Sequence, residues 1–171
     1  MVSRSSLPAM SELEIRPMPS AEFAVYRERC IRDYAAEHVR AGNWNSSQAE
    51  ALAAKQTDDL LPDGVDTPGM LLLVAETTSA GVIGIVWVEL QHGQTTSAWI
   101  YDIQIVPERR GRGYGRALLR AAEREVERRG IESIALNVFG GNAVARDLYE
   151  SSGYEVTSLF MRKRLGSGPA R

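Results

Sequence analysis

Apolar and polar residues alternate along several short runs of this chain, and alternation with a period of two predicts β-strands. The segments predicted to be strands in this way are LEIRPM (13–18), LLLVAETT (71–78), GVIGIVWVEL (81–90), SAWIYDIQIV (97–106), IESIALNV (131–138) and a last one at about 154–164. Only Ser79 and Ala80 separate the second run from the third. This short connection predicts an antiparallel hairpin.

The intervening segments carry apolar residues at steps of three and four, the period of an amphipathic helix. The predicted helices run from Ser20 to Gly42, from about Ser47 to Leu60, from the glycine-rich loop at 111–115 to Gly130, and from Asn142 to Ser152. At the start of the second helix, Ser47 stands three residues before Glu50. This spacing predicts a capping box, in which the serine hydroxyl accepts a bond from a free backbone N–H.

The order of the predicted elements is β-α-α-β-β-β-α-β-α-β. The strand–helix–strand unit at 97–138 implies one parallel pair, whereas the strands before it form an antiparallel meander. We therefore predict an α/β (α+β) fold with a mixed, mostly antiparallel central sheet and helices on both faces. A single domain is expected over 12–165, between flexible tails at 1–11 and 166–171.

Composition narrows the class of protein without identifying it. The chain has 171 residues, 44% hydrophobic and 25% charged, with a formal net charge of −2, which is typical of a globular domain. This charge gives no reason to expect a nucleic acid or a membrane as partner. No secretory leader is recognisable at the start of the sequence. The single cysteine, Cys30, excludes an internal disulfide. We expect a cytoplasmic protein without a metal.

The stretch VPERRGRGYGRALL (106–119) has glycines at three alternating positions and follows a predicted buried strand at the start of a helix. Free N–H groups in the first turn of a helix, and the helix dipole, favour anions. Glycine lets the backbone approach a phosphate closely, and Arg110, Arg112 and Arg116 can supply positive charge. The composition is therefore typical of a loop that holds a diphosphate.

Other interpretations of this loop stay open on the residues alone. A glycine-rich turn can be purely structural. A Rossmann site requires G-x-G-x-x-G and an acidic residue after the next strand, but the third glycine comes one residue early and that strand ends in Val138 and Phe139. A Walker A loop requires Gly-Lys-Ser/Thr, which is absent. Nucleic-acid binding through the arginines of 109–129 is disfavoured by interleaved glutamates.

The segment IQIVPERRGRGYGRALL resembles the acetyl-coenzyme A loop of the GNAT superfamily of N-acetyltransferases. The family signature Q/R-x-x-G-x-G/A is matched by Arg110, Gly113 and Gly115, after a strand that contributes Ile103, Ile105 and Pro107. A second family element, N-x-x-A-x-x-L-Y-x-x-x-G-[FY], is matched by Asn142, Ala145, Leu148, Tyr149, Gly153 and Tyr154. The two elements together extend the resemblance over about 71–164.

The resemblance implies the GNAT fold, in which the two parallel strands splay apart, and acetyl-CoA as cosubstrate. Backbone groups of 103–105 would pair with the pantetheine arm, and the N–H of Ile105 would polarise the thioester carbonyl. Tyr149 would act as general acid on the departing thiolate. The implied coenzyme-binding residues are Ile103, Gln104, Ile105, Arg110, Gly111, Arg112, Gly113, Tyr114, Gly115, Arg116, Asn142 and Tyr149.

An ammonium substrate must lose a proton, so a general base is required. Glu89, near the end of a hairpin strand, and Asp102, on the strand facing the coenzyme, are the candidates, with His92 and His38 behind them. Cys30 belongs to a helical apolar stripe and is expected in the core rather than as a nucleophile. The acceptor cleft is expected between the N-terminal helices and the hairpin, where Tyr34, Trp44 and Trp87 could line it.

The function implied by the resemblance is direct transfer of an acetyl group from acetyl-CoA to a primary amine of a small molecule or peptide. A different acyl-CoA, a non-catalytic acyl-CoA-binding or regulatory module, and arginine-driven nucleic-acid binding are the alternatives. The expected partners are acetyl-CoA and the amine. Assembly into a homodimer stays open.

Overall fold

A computed structural model describes residues 13–93 and 96–163. The tails predicted at 1–11 and 166–171 lie outside these residues. The helices and strands are β1 (Glu14–Pro17), α1 (Ser20–Arg40), α2 (Ala49–Leu60), β2 (Met70–Thr77), β3 (Gly81–Glu89), β4 (Ser97–Ile105), α3 (Tyr114–Glu127), β5 (Ser133–Leu136) and α4 (Ala143–Glu150). Across the same residues, no helix combines the length and apolar character that spanning a bilayer demands.

The strands form one sheet in the order β1-β2-β3-β4-β5. The first four strands pair antiparallel with one another, and β4 and β5 are parallel. The parallel pairing runs only from Ser97 opposite Ser133 to Ile100 opposite Leu136. Beyond this point β4 continues to Ile105 while paired with β3 alone. The predicted mixed sheet with one splayed parallel pair is thus confirmed.

Each face of the sheet is covered by a separate hydrophobic cluster. On one face, Tyr26 and Cys30 of α1 pack against residues of β2 and β3, including Val74 and Trp87. The other face is covered by α3, α4 and the buried Tyr149. Helix α2 packs on α1 through a third cluster, which consists of Ile31 and three alanines. Helices therefore lie on both faces, and α1 and α4 stand on opposite sides of the sheet.

A β-bulge interrupts β4 where it passes the end of the parallel pairing. Trp87 lies opposite Asp102, but the next residue, Val88, lies opposite Ile100, so Tyr101 is the extra residue. Without the bulge, Tyr101 and Asp102 would point to opposite faces. Instead, both side chains contact residues on the α1 side, Tyr101 through Trp87 and Asp102 through Tyr26.

The strand predicted at about 154–164 is wrong over the described part of the chain. Residues 154–163 have no regular secondary structure. An alternating pattern becomes a strand only when a neighbouring strand accepts its backbone hydrogen bonds. Here the chain does not return to the sheet after α4. The guanidinium of Arg162 donates instead to the carbonyls of Ala41 and Gly42 at the end of α1.

The predicted capping box at α2 is also wrong. The helix begins after Gln48, and no side chain caps it. The hydroxyl and the backbone N–H of Ser47 instead donate to Oδ1 of Asn45, at 3.2 and 3.1 Å. The Asn45 side chain has engaged the serine in a local turn, so its hydroxyl does not serve the helix.

Candidate functional site

The splay between β4 and the chain after β5 opens a gap at the centre of the candidate site. Along β4, successive N–H groups point to opposite sides of the strand. The N–H of Val106 donates to the carbonyl of Ile83 on β3, at 2.9 Å. The N–H groups of Ile103 and Ile105 are therefore directed away from β3 and toward the gap, the orientation that pairing with an extended ligand requires.

The glycine-rich loop adopts a backbone that favours glycine at two positions. Gly111 and Gly113 have φ values of +71° and +84°, in the left-handed region. A Cβ at either position would meet no atom within 4 Å, so the glycines are required by their conformation and leave free space beside the backbone. Gly115 differs, because a Cβ there would approach Leu148 to 3.5 Å.

Helix α3 begins at this loop with its N-terminus open to an anion. Its N-cap residue, Gly113, has no side chain to cap the first turn, and that turn contains no acidic residue. Uncapped N–H groups at the positive end of a fourteen-residue helix favour a negatively charged ligand. The loop conformation and the helix end together fit a diphosphate.

The three arginines predicted to supply positive charge differ in their contacts. The Nε of Arg110 donates to the carbonyl of Ile105 at 2.9 Å and so holds the loop against the end of β4. Arg116 donates to the carbonyl of Ser151 at 2.9 Å and to the hydroxyl of Ser152 at 3.1 Å, which joins α3 to α4. The side chain of Arg112 is exposed.

Asp102 lies on the α1 side of the gap and is held by two donors. The hydroxyl of Tyr26 donates to Oδ2 at 3.2 Å, and Nε2 of Gln104 donates to Oδ1 at 3.1 Å. Burial raises the pKa of Asp102 to about 6, against the opposing effect of these hydrogen bonds. A carboxylate with this pKa is mostly ionised at neutral pH and still basic enough to accept a proton.

Tyr149 lies on the opposite face of the sheet, in the cluster beneath α3, and is 9% exposed. Burial, and next the negative charge of Asp102, raises the pKa of Tyr149 to about 12. Tyr149 therefore keeps its proton at neutral pH and can donate it.

Two other residues of the predicted coenzyme site have structural contacts of their own. Oδ1 of Asn142 accepts a hydrogen bond from the N–H of Ala145 at 3.1 Å and so caps α4. The ring of Tyr114 is partly buried against the α3 cluster, which leaves its backbone N–H for a ligand. Contacts of both residues with the coenzyme stay predictions.

Glu89, the other candidate base, belongs to a separate network. Its Oε2 accepts a hydrogen bond from the hydroxyl of Tyr101 at 3.0 Å and lies 2.6 Å from Nδ1 of His92. The His92 ring stacks on Trp99 at a centroid distance of 4.4 Å. Because Glu89 pairs with Trp99 in the sheet, this network lies where β4 and β5 are still paired.

An aromatic cluster bridges α1 and the chain just beyond β5. The ring of His38 stacks on Trp44 at 3.7 Å, and Tyr34 and Phe139 contact it at centroid distances of 4.5 and 5.0 Å. Burial lowers the pKa of His38.

Trp87, also predicted as a possible cleft residue, is instead in the core: it is 3% exposed, because it lies on a central strand beneath α1.

Sequence patterns did not reveal the partner of Asp102. Tyr26 is part of the apolar stripe of α1, 76 residues from Asp102, and nothing in its spacing distinguishes it from the other core residues.

Cys30 is in the core as expected, and burial raises its pKa to about 12, which keeps the thiol protonated. Within residues 13–93 and 96–163, no cluster of three or more His, Cys, Asp or Glu side chains could hold a metal ion.

A sequence model described as the acetyltransferase (GNAT) family matches residues 26–154. The chain is 35% identical over 153 residues to the uncharacterized N-acetyltransferase YycN of Bacillus subtilis, covering 88% of this chain and 97% of YycN. It is 32% identical over 120 residues to a mycothiol acetyltransferase of Kytococcus sedentarius, covering 70% of this chain but only 38% of that protein.

The solved structures that this chain resembles include acetyltransferases. The crystal structure of Bacillus subtilis YycN superposes with a TM-score of 0.85 at 32% identity, covering 90% of this chain and 98% of that one. The structure of AAC(6')-Iy in complex with a bisubstrate analogue of CoA and acetylneamine has a TM-score of 0.58 at 18% identity, covering 89% and 98%. At that identity the second match shows the fold alone.

Proposed function

Because this chain belongs to the acetyltransferase (GNAT) family, we propose that it transfers an acetyl group from acetyl-CoA directly to a primary amine of a small molecule or peptide. The observation that carries the proposal is the gap beyond Ile100 and Leu136, with Asp102 on the α1 face of the sheet and Tyr149 in the hydrophobic cluster on the other face. A proton acceptor and a proton donor on the two sides of one gap suit acyl transfer to an amine.

The glycine-rich loop and the start of α3 would hold the diphosphate of the coenzyme. Backbone N–H groups of 111–116 supply the donors, and Arg112 adds charge at the surface. The gap-facing N–H groups of Ile103 and Ile105 would pair with the pantetheine arm as an added strand does. When bound, acetyl-CoA supplies the activated acetyl group as a thioester.

Asp102 is the general base in this proposal. With a pKa of about 6, its carboxylate accepts a proton from the acceptor ammonium, directly or through one water. Tyr26 and Gln104 hold both carboxylate oxygens and so fix the direction from which the amine approaches. Glu89, hydrogen-bonded to Tyr101, serves instead to fix the end of the hairpin.

Tyr149 is the general acid. Its raised pKa keeps the phenol protonated, and it can therefore donate a proton to the thiolate that leaves. Cys30 takes no covalent part, because a thiol with a pKa of about 12 is a poor nucleophile at neutral pH. The amine thus attacks the acetyl group without an acyl-enzyme step.

The acceptor would enter on the α1 side, beside the aromatic cluster of Tyr34, His38, Trp44 and Phe139. Tyr34, the most exposed of the four at 37%, offers a surface for the apolar part of an amine. The names of similar proteins span mycothiol and aminoglycoside acetylation, so family membership leaves the acceptor undecided.

Two measurements together test the proposal. Acetyl-CoA is expected to raise the melting temperature, whereas NAD and ATP are not, because only the coenzyme pairs with the gap as well as with the loop. Release of free thiol is then measured with a panel of primary amines. If acetyl-CoA does not change the melting temperature, the proposal is refuted. If acetyl-CoA stabilises the protein but no amine in the panel causes release of the coenzyme A thiol, the protein is a binding module.

A further inference from the structure

An arginine of α1, Arg29, has a buried donor that nothing in the described chain uses. Its Nε is buried and has no hydrogen-bond partner within residues 13–93 and 96–163. Over the same residues Arg29 forms no ion pair, although Asp33 follows it by four positions, a spacing at which oppositely charged side chains can pair on a helix. Because a buried donor without a partner costs free energy, such a group favours a ligand that accepts its hydrogen bond.

Arg29 lies on the side of α1 that adjoins Asp102. It follows Tyr26 by three residues, and Asp33 follows Tyr26 by seven, so the three side chains share one face of the helix. Tyr26 gives the direction of this face, since its hydroxyl donates to Oδ2 of Asp102 at 3.2 Å. Burial has the largest effect on the pKa of Asp102, and among the smaller effects the charge of Arg29 lowers this pKa while the charge of Asp33 raises it. Helix spacing and electrostatics therefore agree that Arg29 and Asp33 border the carboxylate of Asp102.

This face of α1 is left to a ligand by the rest of the fold. Helix α2 packs on α1 through Ile31 and Ala35, which lie two and six positions after Arg29 and so on another face of the helix. Helix α3, whose N-terminus fits a diphosphate, covers the opposite face of the sheet. The half-buried Arg29 thus stands on the side from which the acceptor would enter.

The charges on this face fit a zwitterion. One guanidinium can hold one carboxylate through two parallel hydrogen bonds. A phosphate dianion would be repelled by Asp33 and Asp102, which lie beside the single positive charge, whereas a carboxylate carries only one negative charge. The same two aspartates attract the ammonium group of an acceptor. The complementary ligand therefore carries an amine and a carboxylate close together.

We propose that Arg29 binds a carboxylate of the acceptor, and that the acceptor is an amino acid or a similar molecule with an amine and a carboxylate a few bonds apart. This inference rests on the proposed acetyl transfer and names the substrate class for it. Arg29 takes no part in the bonds that form and break. It fixes a second point of the acceptor, so that the amine is held beside Asp102.

Matched acceptors test the proposal. Acetyl-CoA-dependent release of free thiol is measured with the common amino acids, β-alanine and γ-aminobutyrate, each compared with its carboxamide. The carboxamide keeps the amine and lacks the negative charge, and kcat/KM is calculated on the unprotonated amine because the two amines differ in basicity. For the acceptors that react, we expect the acid to exceed its carboxamide at least about 10-fold, as a hydrogen bond to a charged group provides.

Three variants assign this preference to one side chain. Arg29→Gln is expected to lower kcat/KM for the acid about 30-fold, mainly through KM, and to leave the carboxamide nearly unchanged. Arg29→Lys keeps the charge without the two-pronged geometry and should recover part of the loss. The control, Arg32→Gln, removes an exposed arginine from the outer face of α1 and should change neither acceptor. The melting-temperature rise given by acetyl-CoA should be the same in all three, which shows that each variant folds and binds the coenzyme.

The outcomes separate this inference from the proposed function. Carboxamides that react as well as the acids, or an equal loss for both in Arg29→Gln, would overturn the role of Arg29 and leave acetyl transfer standing. A smaller melting-temperature rise with acetyl-CoA in Arg29→Gln alone would assign the guanidinium to the coenzyme and overturn the inference as well. If the wild type releases no thiol with any amine, both proposals fail.

Discussion

The loop at residues 110–116 and the hydrogen-bonded cluster of Tyr26, Asp102 and Gln104 are built in opposite ways. The loop is contiguous in sequence and presents mainly backbone N–H groups, shaped by Gly111 and Gly113 with positive φ. The cluster joins side chains that are distant in sequence, such as Tyr26 and Asp102, which lie 76 residues apart. One region is therefore defined by backbone conformation, and the other by which side chains the fold brings together.

This contrast predicts how each region responds to substitution. The loop should tolerate a new side chain at an exposed position such as Arg112 but not a residue that resists a left-handed backbone. The cluster around Asp102 should show the reverse, because the removal of a single oxygen or charge changes its proton chemistry. The following substitutions test this difference, starting with the largest expected effect.

Asp102→Asn is expected to lower kcat/KM by about 10³-fold, since general-base catalysis contributes on the order of 10²- to 10⁴-fold. In the wild type, log kcat/KM should rise as the pH passes about 6, where Asp102 loses its proton. That limb of the profile should disappear in the variant, while the melting-temperature rise given by acetyl-CoA stays unchanged. A profile that keeps the limb would exclude Asp102 as the base.

The same variant should be more stable at neutral pH. Folding raises the pKa of Asp102 from 3.8 to about 6, so the folded state binds its proton more tightly. The ionised carboxylate thus reduces stability, an effect fully present above pH 6 and absent below about pH 3.8. The difference in free energy of unfolding between Asp102→Asn and the wild type is therefore expected to be about 2 kcal/mol more favourable to the variant at pH 7.5 than at pH 4. Urea unfolding at both pH values measures this difference, and a variant that loses stability at pH 7.5 would contradict it.

Tyr149→Phe removes the proton donor and keeps the ring. We expect kcat to fall about 100-fold, in the range of general-acid catalysis, with little change in the affinity for acetyl-CoA. Steady-state kinetics combined with coenzyme titration separates the two effects. Equal losses in kcat and in affinity would make Tyr149 a binding residue rather than an acid.

Gly113→Ala tests the loop by its backbone alone. At φ +84° an alanine is strained by about 1–2 kcal/mol, and relief of that strain should distort the loop. We expect KM for acetyl-CoA to rise about 10-fold, which corresponds to about 1.4 kcal/mol, with kcat nearly unchanged. The matched control is Gly130→Ala, at φ +75° after α3 and likewise without a close contact at its Cβ. It should lose similar stability and keep its KM, and a rise in KM for both variants would remove the special role of the loop.

The smallest expected effect distinguishes the two candidate bases. Tyr26→Phe removes a hydrogen bond to the carboxylate of Asp102, and the pKa of Asp102 should therefore increase. The acid limb of kcat/KM should move upward by about half a unit, which lowers activity about 3-fold below the limb. Tyr101→Phe removes the corresponding bond to Glu89 and should leave the limb in place. The opposite pattern would identify Glu89 as the base.

Apart from the capping box at Ser47, features that depend on neighbouring residues were predicted correctly from the sequence, and features that need distant partners were not. The loop followed from its glycines, and the parallel pair from a strand–helix–strand order. The bulge that turns Tyr101 and Asp102 to one face was not predictable, because it depends on the register between β3 and β4. Residues 154–163 have a strand-like pattern, but a strand also needs a partner, and the pattern carries no information about where that partner lies.

By itself, the sequence determined the order of the elements as far as α4, the family and the glycine-rich loop. These depend on interactions within a few residues, such as a helix period or the φ that glycine allows. Only the tertiary structure decided that Asp102 lies beside Tyr26, that Glu89 belongs to another network, and that Trp87 is in the core. Burial and electrostatics depend on all neighbours in space, so the proton chemistry of this protein is a property of its packing.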